Sequence, residues 1–174
     1  NQELYSVIQK IRNGVKSIGC LEKLQIREEN EKKWIKIILE FADKNFIHPS
    51  SEEKSFQFNE SVILSCMKNY ELGVDQINKI IFYHFQKKAF RSFWTIPIII
   101  CENDYSLDLF NGMIGFLTGF YTTKEEFFKN GIVRFEDGRE IKANLLPRYE
   151  LAYCLSVHKS QGSEFQKILL AVPE

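Results

Sequence analysis

His158, Lys159, Ser160, Gln161, Gly162, Ser163 and Glu164 form an unbroken polar stretch between two apolar runs, residues 152–157 and 168–172. The first run is strand-like, so this stretch reads as the turn at a strand's carboxyl end, where open α/β sheets bind ligands. Gly162 permits backbone geometry, or a close ligand approach, that a side chain would block. Ser160, Ser163 and nearby backbone N–H groups suit phosphate oxygens, and Lys159 supplies a point charge. The Glu164 carboxylate suits a ribose hydroxyl better than a phosphate. The same seven residues also make an ordinary solvated connection, and their chemistry alone leaves both readings open.

No complete chemical engine accompanies them. The chain contains no Gly-Lys pair, so it has no P-loop, and Lys159-Ser160 lacks the glycine cradle that would precede it. His48, His84 and His158 with scattered serines mark no nucleophilic triad, and no acidic strand end suits magnesium. Cys20, Cys66, Cys101 and Cys154 are far apart without a CxxC pair. They read as free, mostly buried thiols of a reducing compartment, the cytoplasm, and neither they nor the histidines have metal-ligand spacing. No catalytic or metal-ligating residue is expected in this chain.

Composition sets the frame for these residues. The 174 residues suffice for one medium domain or two small ones, and 44% hydrophobic with 26% charged residues describes an ordinary folded chain. Lys plus Arg equals Asp plus Glu at 23 each, so no overall charge draws the chain to nucleic acid or an anionic membrane. No apolar run is long enough to span a bilayer, and the start has no signal-peptide pattern, so no membrane partner is expected. A start at Asn and a stop just after an apolar run are expected of a piece of a longer chain.

Periodicity predicts the helices and strands around the turn. Leu4, Val7, Ile8 and Ile11 predict a short amphipathic helix ending at Gly14. Trp34, Ile37, Ile38 and Phe41 predict a second over residues 30–45. The stretch between them reads as irregular or strand-like, and "HPSSEEKS" as an exposed connection. "SVILSCM" from Ser61 predicts a buried strand, Ile77, Ile80, Ile81, His84 and Phe85 a helix from Val74 to Ala89, and "IPIIICEN" another buried strand. That strand–helix–strand order points to a three-layer α/β sheet. His84 reads as a partly buried core residue. Phe56, Phe58, Phe82, Tyr83, Phe85, Phe90, Phe93 and Trp94 offer a base-stacking surface but read better as core. The pattern changes at Asn103 to short strands with Gly-bearing turns, with "EDGR" marking a tight hairpin. About 45 residues of this kind suit a small barrel docked on the sheet, and "LAYCLSV" and "ILLAV" return to buried strands.

"VHKSQGSEF" closely resembles motif V of superfamily 1 helicases in the form found in the RecD family. "ENDYSLDLFNGMIGFL" (residues 102–117) resembles that family's FNG segment, and "ILSCMKNYELGVDQIN" (residues 63–78) the region around motif IV. The likeness is good over residues 58–174, weaker before. It implies a partial RecA-like P-loop NTPase domain, the second motor domain, with an inserted small SH3-like β-barrel. Residues 1–103 and 149–174 would then belong to the RecA-like part and 104–148 to the barrel.

The resemblance also assigns roles to residues. His158, Lys159, Ser160 and Asn111 are implied to contact single-stranded DNA. Gln161, Gly162, Glu164 and Lys68 are implied to bind nucleotide or couple it to DNA. For Asn111 and Gly112 a plain Asn-Gly turn weighs equally. Lys68 stands where many relatives carry arginine, and Met113 where the family has aspartate. The implied parent is a helicase of recombination and repair that uses ATP and Mg2+ between two motor domains. It moves 5′ to 3′ on single-stranded DNA and works alone or with other exodeoxyribonuclease V subunits. This piece would lack the first motor domain, hold no cofactor stably and have no activity alone. The alternative is a non-catalytic docking or nucleic-acid-binding module that retains the fold.

Overall fold

Trp34, Ile37, Ile38 and Phe41 do recur on one helical face, and they form α1 (Glu31–Asn45), with Ile38 and Ala42 fully buried. The computed structural model describes residues 31–50, 60–69, 72–161 and 163–172. The expected helix at residues 4–14, the stretch after it, most of "HPSSEEKS", Cys20, Phe56, Phe58 and Gly162 lie outside the described residues. The described residues from Trp34 onward form one compact unit.

The expected strand and helix after Ser61 are present as β1 (Ser61–Ser65) and α2 (Val74–Ala89). Ile77, Ile81 and Phe85 of α2 bury completely beside Ile38, Ala42 and Ile63, so both helices share one core with one face of β1. Val62 and Leu64 point the other way, into a second cluster with Ile99, Ala152, Leu155 and Phe165. Alternation of side chains along a strand produces this division.

β2 (Ser92–Ile100) departs from expectation. It is the expected buried strand, but it lies antiparallel to β3 (Ile114–Tyr121) and β6 (Tyr149–Leu151) rather than in one sheet with β1. A continuous apolar run signals burial on both faces and carries no information on strand direction. The "LAYCLSV" run is likewise divided. β6 belongs to the antiparallel sheet, and β7 (Cys154–Ser156) pairs in parallel with β1. β8 (Lys167–Ala171) covers the other edge of β1, with Ile168 and Leu170 about half exposed and Ala171 buried. The fold is thus α/β with a three-stranded parallel sheet, β7-β1-β8, and a five-stranded antiparallel sheet in which β4 (Ile132–Phe135) and β5 (Glu140–Lys142) complete the order β5-β4-β3-β2-β6.

The hairpin predicted at "EDGR" joins β4 (Ile132–Phe135) to β5 (Glu140–Lys142), with Gly138 at φ +85. The expected SH3-like barrel is not closed among the described residues. β5 and β6 are the two edges of an open sheet, and β2, which precedes residue 104, is one of its central strands. β5 is three residues long and passes into a 3-10 turn, Ala143–Leu145, before it can pair further. "TTKEEFFKN" holds a helix where strands were expected: α3 (Lys124–Asn130) starts where the Thr123 hydroxyl accepts the Glu126 N–H at 3.2 Å. Phe127 is buried by stacking 5.5 Å from Trp94.

Candidate functional site

Parallel pairing decides what lies beside what. Ser65 is in register with Ser156 on one side and Ala171 on the other, so β1 and β7 present their carboxyl ends together. The turns that begin at Cys66 and Val157 therefore leave the same edge of the sheet. The Val157 N–H donates to the Ser65 carbonyl at 3.3 Å and joins the two at their base.

The first turn is fixed from within. The buried Ser65 hydroxyl donates to the Leu72 carbonyl at 2.9 Å, and the Leu72 N–H donates to Gln76 Oε1 at 3.0 Å. These bonds hold Leu72 at φ 59, a left-handed conformation that residues other than glycine rarely adopt. The Lys68 carbonyl accepts the Asp75 N–H at 3.2 Å, which ties Lys68 to the start of α2.

Much of the described part of the second turn is also bonded within the turn. Ser160 N–H donates to the Ser156 carbonyl at 3.2 Å, its hydroxyl to the Val157 carbonyl at 2.9 Å, and Lys159 N–H to Ser156 Oγ at 3.3 Å. Gln161 and Ser163 N–H groups donate to the His158 and Ser160 carbonyls. The N–H groups of Lys159, Ser160, Gln161 and Ser163 thus have partners already. His158, Gln161 and Glu164 are exposed, and Lys159 and Ser160 are half-buried.

Lys68 and Lys159 meet on a residue that the motifs did not mark. Glu150, on β6, accepts from Lys68 Nζ through Oε1 at 3.4 Å and from Lys159 Nζ through Oε2 at 3.3 Å. Arg148 reaches the same Oε1 at 3.1 Å and stands 3.9 Å from Glu102. Burial acts to raise the Glu150 pKa, but the charges and hydrogen bonds of Lys159 and Lys68 outweigh it and hold the carboxyl below its ordinary value. Lys159 Nζ also lies 3.5 Å from Cys101 Sγ, whose thiol burial pushes up despite that neighbour. One acidic residue in a three-residue strand carries no local pattern from which this role could be read.

Asn111 makes none of these contacts. Its side chain is exposed, its N–H donates to Asn103 Oδ1 at 2.7 Å, and Gly112 sits at φ +97 with its N–H on the Ile100 carbonyl. The Asn-Gly turn therefore has a structural use of its own. Met113 is partly buried against the main core. Among the aromatic residues weighed for stacking, Phe82, Phe85 and Trp94 are core, Phe93 is half-buried, and Tyr83 and Phe90 are exposed. His84 is partly buried as expected, and its Nε2 also lies 2.8 Å from Asp43 Oδ1. Cys154 is buried as expected, but Cys66 is exposed, because β1 ends one residue before it. Among the described residues no group of three or more His, Cys, Asp or Glu side chains is placed to hold a metal, and no helix is long and apolar enough to cross a membrane.

No protein-family model matches the chain. It is 31% identical to the RecBCD enzyme subunit RecD of Haemophilus influenzae over 99% of its own length and 24% of that protein's. It is 30% identical to the RecBCD enzyme subunit RecD of Buchnera aphidicola subsp. Schizaphis graminum, over 99% of its length and 30% of that protein's. The chain thus spans less than a third of these curated relatives. A solved structure of Pif1 helicase from Bacteroides in complex with ADP-AlF3 and ssDNA is similar at a TM-score of 0.52 and 19% identity, covering 100% of this chain and 44% of that one. At that identity the likeness concerns the fold.

Proposed function

We propose that this chain, which is similar to RecD subunits over nearly its whole length and to a Pif1 helicase in fold, is part of an ATP-dependent DNA helicase motor of recombination and repair. In this reading residues 1–103 and 149–174 belong to the second RecA-like domain, and 104–148 are an insertion into it. The observation that carries the proposal is the meeting of Lys68 and Lys159, from the turns after β1 and β7, at one edge of the parallel sheet. Two turns so joined suit a joint between nucleotide and DNA.

The roles divide by chemistry. His158, Lys159 and Ser160, with Asn111 beyond them, face the single-stranded DNA backbone, whose phosphates a lysine ammonium engages as a point charge. Gln161, Gly162, Glu164 and Lys68 serve the nucleotide side. The donor set here suits phosphate oxygens and hydroxyls rather than Mg2+, since Glu150 is engaged by cations. ATP and Mg2+ would therefore be held largely by a first motor domain outside this chain. The intact protein would move 5′ to 3′, alone or beside other exodeoxyribonuclease V subunits, and this segment would have no activity by itself.

Variants of the intact protein test the division. Lys159→Ala should weaken single-stranded DNA binding and reduce the slope of log affinity against log salt by about 0.7, one phosphate contact. Glu164→Ala should mainly raise the ATP concentration needed for half-maximal hydrolysis. Unchanged DNA affinity, salt slope and ATP use in both variants would refute the proposal.

A further inference from the structure

Lys68 and Lys159 sit on turns, whereas Glu150 sits on a strand. Its backbone is paired in register with Ile99 of β2, so the antiparallel sheet fixes it. Isolated surface ion pairs contribute little, because flexible side chains lose entropy and water screens them. This contact differs in two ways. One carboxylate serves three cations from three segments, and the Glu150 and Lys159 side chains are only 28% and 34% exposed. Three cations against Glu150 and Glu102 leave the cluster with an excess of positive charge, which suits an incoming anion.

We infer that Glu150 is a positioning residue that couples the two turns, holding Lys68 and Lys159 in one arrangement so that a change at either is felt at the other. The inference rests on the proposed function above. Two ammonium groups repel each other, so the shared carboxylate is the link between them. Displacing Lys159 toward a phosphate frees Oε2 and leaves Lys68 and Arg148 to share Oε1. The arrangement therefore has two states that differ in which cations the carboxylate holds.

The test is a double-mutant cycle in the intact protein, read as affinity for an oligothymidylate at fixed salt. Lys68→Ala and Lys159→Ala should each weaken binding, and their combined effect should depart from the product of the single effects by about threefold or more. In a Glu150→Gln background the two effects should multiply independently, and Glu150→Asp, which keeps the charge, should retain the coupling. Thermal melting of each variant establishes that it is folded. Independent effects in the wild-type background, with each lysine variant still weakening binding, would overturn this inference and leave the functional proposal standing. No effect of either lysine on DNA affinity would overturn this inference together with the DNA-contact role of Lys159.

Discussion

Asn78 shows how much one side chain can settle. β7 is an edge strand, and the pairing of Ile63 with Cys154 leaves the Cys154 N–H and carbonyl pointing away from β1. The buried Asn78 amide meets both, donating to the carbonyl and accepting from the N–H at 2.9 Å each. It acts as one residue of an additional strand, which satisfies groups that would otherwise be buried unpaired. Asn78→Ala should therefore cost about 1–3 kcal/mol for each group left without a partner. Asn78→Asp should cost at least as much, since a carboxylate cannot donate to the carbonyl and would be charged in a buried place. Urea denaturation midpoints measure both, and wild-type stability in either variant would contradict this account. The motif IV-like string contains Asn78, but its use depends on strand register, which is not written locally. Glu150 was hidden for the same reason. Lys68 and Lys159 were legible because each lies within a recognisable motif, while the carboxylate that joins them comes from a third segment.

At the scale of elements, α1, β1, α2 and the β4–β5 hairpin were legible because amphipathic spacing and an Asp-Gly turn are local signals. The pairing of β2 and the existence of α3 were not. Direction in a fully buried strand is decided by distant partners, and a seven-residue helix has too few turns to display a period. The unit β3–α3–β4 depends instead on close approach. A Cβ at Gly131 would stand 2.8 Å from the Phe127 carbonyl oxygen and against Leu117, although its φ of −65 suits any residue. Gly112 is the converse, with open space around it but φ +97. Gly131→Ala should destabilise by about 1–3 kcal/mol through crowding. Gly112→Ala should cost roughly 1 kcal/mol through backbone strain alone. Denaturation midpoints that ranked Gly112→Ala as far more damaging than Gly131→Ala would show that backbone conformation, not packing, limits this unit.

At the scale of the molecule, Glu150 and Asp43 each join parts that sequence separates. Glu150 links the antiparallel sheet to both turns of the parallel one. Asp43 of α1 meets His84 at 2.8 Å and Lys88 at 3.4 Å on α2. Burial acts to raise the Asp43 pKa, but the hydrogen bonds and charges of His84 and Lys88 outweigh it and hold it below 3.8. Glu150 is likewise held below 4.5. A carboxyl whose folded pKa is depressed contributes stability that is complete above its unfolded pKa and is lost as pH falls through the folded value. Stability should therefore decline as the solution is acidified below 4.5 and then 3.8. Asp104 and Asp137 are also held low, by the Ser106 side chain and the Arg139 N–H first of all, so the wild-type curve alone does not isolate either link. Glu150→Gln and Asp43→Asn do. Each should be less stable than wild type near neutrality and approach it in acid, because the variant has no such contribution to lose. Urea midpoints between about pH 3 and about pH 7 measure the difference, which added salt should shrink for these partly exposed pairs. A gap from wild type that stayed constant with pH would mean that the side chains act through packing and that their charges join nothing.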